Sequence, residues 1–359
     1  MDANDETFFE TEAEKNSIIA KEIKDNNLKN NYVGLDIGTM NLVVAKYINS
    51  VVRTKHYRNV YLKVDNEHIK SMDLSNVSYA VIDDQTYFIS ESAYIHANVF
   101  GLELCRPMHK GMVSKNLDSI DVLAVMVKSL IGKNEDPDRK GICCYSIPAN
   151  PIDDQNMDVI YHENVFSRII TELNYKPISL NEAVAIVYSE CYDNNFTGIG
   201  ISFGAGMTNI GVVFRSVPVL TFSLARGGDW IDYNAANSMG EVVSRVTSIK
   251  ENPKFSLTDF SSLKKKEKRI KEALIYYYTS LINYTVDSII SQLSTLTIEF
   301  PNSIPVIVSG GTSMASGFNA LLTQKFDKAE LPFEISEIKS AKNPLTAVAE
   351  GCLIRSLKE

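Results

Sequence analysis

The sequence contains the same short unit twice, and this repetition constrains the fold more than any other feature. Each unit is an apolar strand, a glycine-containing turn with methionine and asparagine, and a β-branched strand. The first unit covers residues 32–47 with its turn at 37–41, and the second covers residues 198–214 with its turn at 204–209. Because the units open the two halves of the ordered part of the chain, they predict an internal duplication with two similar lobes that face each other.

A third glycine-containing turn follows another apolar strand, residues 304–308. Gly310 and Gly311 lie in this turn, and residues 314–325 have the pattern of a helix. Two successive glycines let the backbone approach a flat ligand closely, because neither carries a side chain. The sequence therefore predicts a strand, a ligand-facing turn and a helix in this order.

Glycine turns bind phosphate groups because their exposed backbone N–H groups can point at the phosphate oxygens. The Walker pattern, Gly-x-x-x-x-Gly-Lys-Ser/Thr, does not occur in the sequence. A dinucleotide fingerprint is disfavoured as well, because Asn209 stands where the third glycine is needed and a strand follows instead of a helix. The two hairpins are therefore the predicted phosphate loops.

Length and composition limit the class of protein. A chain of 359 residues with 45% hydrophobic residues is expected to form more than one compact unit. The net charge of −8 does not favour a polyanion, so no nucleic-acid partner is expected. The sequence shows neither a signal peptide nor an apolar run long enough for a transmembrane segment, which predicts a cytoplasmic protein.

The five cysteines are odd in number and include no Cys-x-x-Cys pair, which predicts free thiols in a reducing compartment. A metal site or a reactive nucleophile is the alternative, and the spacing of metal ligands is absent.

Residues 1–31 are predicted to be an acidic, disordered tail, because six acidic residues precede the first basic one, Lys15. The alternative is a helix that binds a membrane or a partner, with Ile18, Ile19 and Ile23 on one face and Phe8–Phe9 as an anchor. The negative charge of the tail would be repelled by an anionic lipid surface.

The order of two phosphate hairpins and a later strand–Gly-Gly–helix unit resembles the pattern of the actin/Hsp70/sugar-kinase superfamily. The resemblance covers nearly all of residues 32–357. The first hairpin, residues 34–41, resembles that of the bacterial actins MreB and MamK. Further segments resemble these bacterial actins: residues 106–113, 146–149, 181–185, 226–232 and 343–351. The resemblance implies an α/β actin-like fold with two related, ribonuclease-H-like lobes that flank a nucleotide cleft.

The resemblance also implies a division of the chain. The expected units are the tail at 1–31, a first lobe at 32–190 with a small subdomain at about 50–105, a second lobe at 191–345 with an insertion at about 228–300, and a closing helix at 346–359 that returns to the first lobe.

In the superfamily, such a cleft holds ATP and Mg²⁺. The carboxylate matched by Asp36 meets the metal, usually through water, although an Asp here could merely fix its own turn. The residue matched by Glu182 polarises the attacking water, with a helix cap as the alternative. The expected nucleotide-binding residues are Gly38, Thr39, Met40, Asn41, Ser202, Gly204, Ala205, Gly206, Met207, Thr208, Gly228, Asp229, Lys271, Gly310, Gly311, Thr312 and Ser313.

Lys271 lies on a predicted helix, residues 264–281, and matches a lysine that lies along the nucleoside in Hsp70. The alternative is a solvated, charged helix face.

The second hairpin departs from the family pattern at two positions. The pattern begins with Asp and ends with an acidic residue, and these positions hold Ser202 and Asn209. One negative charge near the metal is lost, so the departure implies weaker magnesium binding and slow hydrolysis. Nucleotide binding is expected to survive, because backbone N–H groups make most of the phosphate contacts.

The resemblance implies a weak ATPase that self-associates into cytoskeletal filaments in a nucleotide-dependent way, with an adaptor bound through the N-terminal tail. The alternatives are a stand-alone Hsp70-like ATPase module or a non-polymerising ATP-binding regulator. A small-molecule kinase is the third choice, because Ser202 removes the nearest candidate for its base. The sequence leaves ATP and GTP undistinguished.

Overall fold

The computed structural model describes residues 31–48, 51–69, 72–136, 140–258, 265–295, 300 and 302–358. The predicted acidic tail lies outside these residues except for Asn31.

Each half of the described chain begins with a run of three or more strands and ends with alternating strands and helices. The strands are β1 Tyr32–Ile37, β2 Asn41–Ile48, β3 Val51–Arg58, β4 Tyr61–Val64, β5 Tyr79–Ile82, β6 Gln85–Ile89, β7 Met108–His109, β8 Met112–Val113, β9 Gly141–Ile147, β10 Tyr175–Asn181, β11 Gly198–Phe203, β12 Thr208–Phe214, β13 Val217–Leu224, β14 Ile304–Ser309 and β15 Ile335–Ser340. The α-helices are α1 Asn66–Ile69, α2 Ser90–Phe100, α3 Leu117–Ile131, α4 Val159–Glu172, α5 Glu182–Glu190, α6 Gly228–Met239, α7 Val243–Lys250, α8 Lys265–Leu293, α9 Phe318–Phe326 and α10 Ala347–Leu357.

Two five-stranded sheets share one topology. The first has the order β10-β9-β1-β2-β3 and the second has the order β15-β14-β11-β12-β13. In each sheet, three strands that are consecutive in the chain form antiparallel pairs. Two later strands lie on the other side of the first of these three strands, and they pair parallel with it and with each other. The prediction of two related lobes is therefore confirmed, because equivalent strands occupy equivalent places in both sheets.

The burial of the strands follows from their position in the sheets. All six residues of β11 are buried, as is typical of a central strand covered on both faces. The edge strand β3 instead exposes Arg53 and Lys55, and charges of this kind protect an open sheet edge from pairing with other chains.

A third, smaller sheet has the order β4-β6-β5. Along the chain, its strands come between β3 and the hairpin of β7 and β8. It packs with α2 around a separate apolar cluster that includes Leu62 and Phe88. The segment that leads into it is tied to the first glycine hairpin, since Asn59 donates to the carbonyl oxygens of Met40 and Gly38.

Helix α10 packs against β1 and α5 of the first half. Its residues Val348 and Cys352 also share an apolar cluster with Val213 and Ile307 of the second half, so the last helix lies where the two halves join. Small residues allow this close packing. A Cβ atom on Gly351 would lie 1.8 Å from the carbonyl oxygen of Ala185, and one on Gly34 would lie 2.1 Å from that of Ala349.

Two predicted helices have different bounds in the structure. The one expected from residue 314 is wrong at its start, because Gly311–Met314 is a short 3₁₀ turn and the α-helix begins at Phe318. Gly317 has φ +88°, a left-handed conformation that separates the two. The predicted helix 264–281 is longer than expected, since α8 continues to Leu293.

Among the described residues, no helix is both long and apolar enough to cross a membrane. The five cysteines, all within the described ranges, are free thiols, and four of them are buried.

Candidate functional site

The two predicted phosphate hairpins have the same local geometry. In the first, the N–H of Gly38 donates to the carbonyl oxygen of Asn41 at 3.0 Å, and in the second, Gly204 donates to Met207 at 2.9 Å. Each turn is thereby closed at its base, which leaves the backbone at its tip to face outward from the strands.

The tips carry unused backbone donors. Within the described part of the chain, no protein acceptor binds the amide N–H groups of Thr39 and Met40 in the first hairpin, or those of Ala205 and Gly206 in the second. Successive free N–H groups in a turn form a concave site that attracts anions. Both hairpins therefore present the kind of surface that binds phosphate oxygens.

The two hairpins are brought together by the turn between β7 and β8. The N–H of Gly111 in this turn donates to the hydroxyl oxygen of Thr39 at 3.0 Å. A Cβ atom on Gly206 would lie 2.3 Å from the nitrogen of Gly111 and 2.5 Å from the hydroxyl of Thr39. Contact between the two halves therefore depends on the absence of a side chain at position 206.

Two further predicted turns surround the second hairpin. The N–H groups of Gly228 and Asp229 donate to the carbonyl oxygens of Gly204 and Ala205, at 3.0 and 2.8 Å. The hydroxyl of Thr312 also donates to the oxygen of Gly204, at 2.9 Å. The sequence predicted all three turns as parts of one site, and the structure brings them into contact.

The third turn leaves room for a flat group. Gly310 has φ +91°, and a Cβ atom on it would collide with the backbone of Phe203. Gly311, by contrast, faces open space, since a Cβ atom there would meet only the side chain of Leu345, at 3.8 Å.

Some predicted binding residues are occupied by contacts within the protein. The hydroxyl of Thr208 donates to the carbonyl oxygen of Arg226, and that of Ser313 donates to Gly310, each at 2.8 Å. The carboxylate of Asp229 pairs with Arg106 of the first half at 2.8 Å. These groups hold the turns and the two halves together.

Asp36 lies near the end of β1, beside the first hairpin. The hydroxyl of Ser146 donates to its carboxylate at 2.9 Å and accepts from the N–H of Ile37 at 2.8 Å. Ser146 belongs to the neighbouring strand β9, so the carboxylate is held by the sheet.

Glu182 is the first residue of α5. Asn181, rather than Glu182, caps this helix, because its side chain accepts from the N–H groups of Ala183 and Val184. The carboxylate of Glu182 instead accepts a hydrogen bond of 3.1 Å from the hydroxyl of Ser202, on β11 of the second half. The serine that replaces the family's acidic residue thus contacts the candidate catalytic carboxylate.

The two carboxyl groups share a buried environment that disfavours negative charge. Burial raises the pKa of Asp36 to about 6, while the hydrogen bond from Ser146 lowers it. Burial and the charge of Asp36 together raise the pKa of Glu182 to about 8, against hydrogen bonds from Ser202 and Asn209. A bound cation would relieve this cost.

This environment predicts a pH dependence for the protein without nucleotide and metal. Because the pKa of Glu182 is raised in the fold from 4.5 to about 8, stability present at low pH is lost as the pH rises through this window. We expect Glu182→Gln to remove most of that loss, a gain of roughly 2 kcal/mol at pH 8. Thermal unfolding in EDTA at pH 5, 6.5 and 8 would measure it.

The control for this prediction is Glu172→Gln, which removes an exposed carboxylate paired with Arg168. Its unfolding temperature should follow the wild-type pH profile. Parallel profiles for Glu182→Gln and the wild type would contradict the prediction.

Lys271 is 5% exposed and lies with its ammonium 5.9 Å from the ring centre of Phe255. The alternative of a solvated face is therefore wrong for this residue. A different lysine reaches the glycine turns: Lys250 donates to the carbonyl oxygen of Gly228 at 3.2 Å and pairs with Asp232 at 2.7 Å.

Sequence reasoning assigned no role to Lys250, Ser146 or Gly111. Ser146 and Gly111 lie in segments that resemble the bacterial actins, and this was the one available signal. Lys250 ends the short helix α7, and no motif distinguishes it from other lysines of the chain.

Two sheets of one topology, a glycine hairpin from each at their junction and a last helix packed on the first sheet define an actin-like fold. The sequence model of the Volactin family matches residues 32–356. The chain belongs to the Volactin family.

Solved structures agree on the fold. The chain is similar to the MamK double helical filament, with a TM-score of 0.69 and 18% identity over 91% of this chain and 98% of that one. It is also similar to MreB 5 of Spiroplasma citri bound to AMPPNP, with a TM-score of 0.64 and 15% identity over 91% and 96% of the two chains. The ethanolamine utilization protein EutJ from Carboxydothermus hydrogenoformans gives a TM-score of 0.50 and 17% identity over 90% and 89%. No curated protein matches the sequence.

Proposed function

We propose that the chain binds ATP with Mg²⁺ between the two glycine hairpins and that the bound nucleotide controls its assembly into filaments. The observation that carries this proposal is the pair of hairpins with free N–H groups at Thr39, Met40, Ala205 and Gly206, held against each other at Gly111. Donors from both halves then converge on one polyphosphate chain, so binding the nucleotide stabilises the closed arrangement of the halves.

The residues fit a nucleotide with a divalent cation. The turn at Gly310 and Gly311 offers an open backbone surface for the adenosine, and Lys250 lies beside the adjoining turn at Gly228. Asp36 and Glu182 disfavour each other's charge, as expected for a pair that awaits a cation. Asp36 would hold Mg²⁺, which neutralises phosphate charge when bound.

Glu182 is the residue proposed to orient water for attack on the terminal phosphate and to accept its proton. Ser202 supports this role by donating a hydrogen bond to the carboxylate. Because Ser202 adds no charge at the metal, we propose slow turnover. A bound state that lasts would suit a protein whose product is a polymer rather than a released metabolite.

Self-association is supported by the likeness to the MamK double helical filament, and nucleotide binding by the likeness to MreB 5 bound to AMPPNP. We further propose the domain division at residues 32–190, 191–345 and 346–359, a cytoplasmic location, and an adaptor role for the acidic tail. The remaining site residues, including Lys271, are proposed on the same basis.

The test is electron microscopy and light scattering of the purified protein with Mg²⁺ and a slowly hydrolysed ATP analogue, beside a nucleotide-free sample. We expect filaments only with nucleotide, because the ligand holds the halves in one arrangement. Single particles in both samples, over a range of salt and protein concentrations, would contradict the filament proposal.

A second candidate is a non-polymerising ATP-binding module, in which closure of the halves acts on a partner protein. The likeness to the ethanolamine utilization protein EutJ supports this second candidate, because proteins that share a fold can differ in function. Nucleotide binding without filaments in the same experiment would select it.

A further inference from the structure

Ser146 lies on β9, next to Asp36 on β1, and its side chain is fully buried. Its hydroxyl makes two hydrogen bonds: it accepts from the N–H of Ile37 at 2.8 Å and donates to Oδ1 of Asp36 at 2.9 Å. A serine hydroxyl has a single proton to donate. Because the N–H of Ile37 occupies an acceptor position of the hydroxyl, the backbone helps to direct this proton at the carboxylate.

This hydrogen bond restricts how the carboxylate of Asp36 can turn. The last torsion of an aspartate side chain, χ2, has broad minima, so the torsion itself does not fix the plane of the carboxylate. With Oδ1 bound to Ser146, the second oxygen is the one that can bind a cation or its water, and the sheet sets its direction. Mg²⁺ requires a near-ideal octahedral geometry, so a ligand that is already held in one orientation binds it better than a ligand that must first be ordered.

The second sheet has a serine at the equivalent place, with a different partner. Ser309 of β14 lies opposite Ser202 of β11 in the strand register. Ser146 and Asp36 occupy the corresponding places of β9 and β1. Ser309 is also fully buried, but its hydroxyl donates to the carbonyl oxygen of Pro344 at 2.9 Å. The two serines therefore share a place in the fold, and the first acts on a carboxylate whereas the second acts on a backbone oxygen.

We propose that Ser146 is a positioning residue that holds the carboxylate of Asp36 in the orientation that binds Mg²⁺ or its water. The inference rests on the proposed metal role of Asp36. Ser202 stands on β11 where Asp36 stands on β1, so the two strands that lead into the hairpins supply a single carboxylate. The orientation of this carboxylate matters more because no second acidic residue of these two strands can share the metal.

The test is calorimetric titration of the full chain with ATP, once with Mg²⁺ and once with EDTA. The ratio of the two affinities measures what the metal contributes, whereas a general loss of structure would lower both affinities together. We expect Ser146→Ala to lower this ratio about tenfold, as is typical when the hydrogen-bonding partner of a metal ligand is removed. The affinity in EDTA should stay within about threefold of the wild type, because backbone N–H groups bind the phosphates. An unchanged ratio would overturn the inference.

Two further variants make the test specific. Ser309→Ala is the matched control, since it removes the equivalent buried hydroxyl without touching a carboxylate, and its ratio should match that of the wild type. A fall of the ratio equal to that of Ser146→Ala would overturn the inference. Ser146→Thr keeps the hydroxyl donor, so it should retain most of the ratio even if its added methyl group lowers both affinities. A ratio as low as that of Ser146→Ala would also overturn the inference.

Measurements in the Asp36→Asn background separate this inference from the function on which it rests. Ser146→Ala should cause no further fall of the ratio there, because residues in one hydrogen-bonded unit are not additive. Equal ATP affinities with Mg²⁺ and with EDTA in the wild type, or an unchanged ratio in Asp36→Asn, would overturn the metal role of Asp36 and the inference with it. A ratio that falls in Asp36→Asn but not in Ser146→Ala would overturn only the inference.

Discussion

A single methyl group at position 206 is expected to keep the two halves apart. In Gly206→Ala, the new Cβ atom would lie 2.3 Å from the nitrogen of Gly111 and 2.5 Å from the hydroxyl of Thr39. The hydroxyl could rotate away, but the backbone of Gly111 cannot yield without moving the turn between β7 and β8. Overpacking of this kind costs about 1–3 kcal/mol, and the cost falls on the closed state alone.

The expected result is a loss of nucleotide affinity of up to about 100-fold, because 1.4 kcal/mol corresponds to a factor of ten. Calorimetric titration with ATP would measure it, and small-angle scattering should show a larger radius of gyration for the variant. Thermal stability should change little, since each half retains its own sheet and core. Filament formation with nucleotide should be lost as well.

The control is Gly204→Ala in the same hairpin, where the new atom would meet only the oxygen of Met207, at 3.0 Å. This contact lies within one hairpin and does not separate the halves, so a loss of a few-fold at most is expected. Equal affinity for the wild type and Gly206→Ala would show that closure at this contact is unnecessary for binding.

The second large effect is expected at the ion pair of Lys250 and Asp232. The two groups are 2.7 Å apart, and their side chains are 11% and 2% exposed. Asp232 also accepts from the hydroxyl of Thr247 at 2.8 Å. Removing one partner of a buried pair leaves an uncompensated charge and typically costs 3–5 kcal/mol. We expect Lys250→Met to lower the free energy of unfolding by about 3 kcal/mol, and to weaken nucleotide binding through the turn at Gly228.

The double variant Lys250→Met with Asp232→Asn should recover at least half of that loss, because it removes the charge that was left unpaired. Lys325→Met is the matched control: its partner Asp287 is 2.8 Å away, but the two side chains are 28% and 60% exposed, far more than the first pair, so the cost should stay below about 1 kcal/mol. Denaturant unfolding of the three variants would compare them. Equal costs for Lys250→Met and Lys325→Met would contradict the argument from burial.

The sequence was sufficient to predict the two hairpins because each is a local structure. A strand, a glycine turn and a second strand are contiguous in the chain, so their residues identify them without knowledge of the tertiary fold. The repetition of the unit then predicted the two related lobes, which the matching strand orders confirm. The helix start near Met314 was wrong because Gly317, inside the helical pattern, adopts a left-handed conformation.

The contacts between the halves could not be predicted in the same way. Arg106 and Asp229 are far apart in the chain, and nothing in either segment identifies the other as its partner. Lys250 was missed for the same reason, because no motif in its own segment identifies its partners. Only the packing of α7 against α6 places Lys250 beside Gly228.

The position of α10 has a consequence for the order in which the protein can fold during synthesis. The helix packs closely against β1 at Gly34 and against α5 at Gly351, yet β1 is synthesised long before α10. While the ribosome is still translating, the apolar side of the first sheet that α10 covers, which includes Tyr32 and Val43, has no cover from that helix. Such surfaces on nascent chains favour aggregation, and contacts between distant parts of a chain form slowly. We expect the first half to reach its final structure only after translation of residues 347–357, and molecular chaperones that shield apolar surface to raise the yield of folded protein.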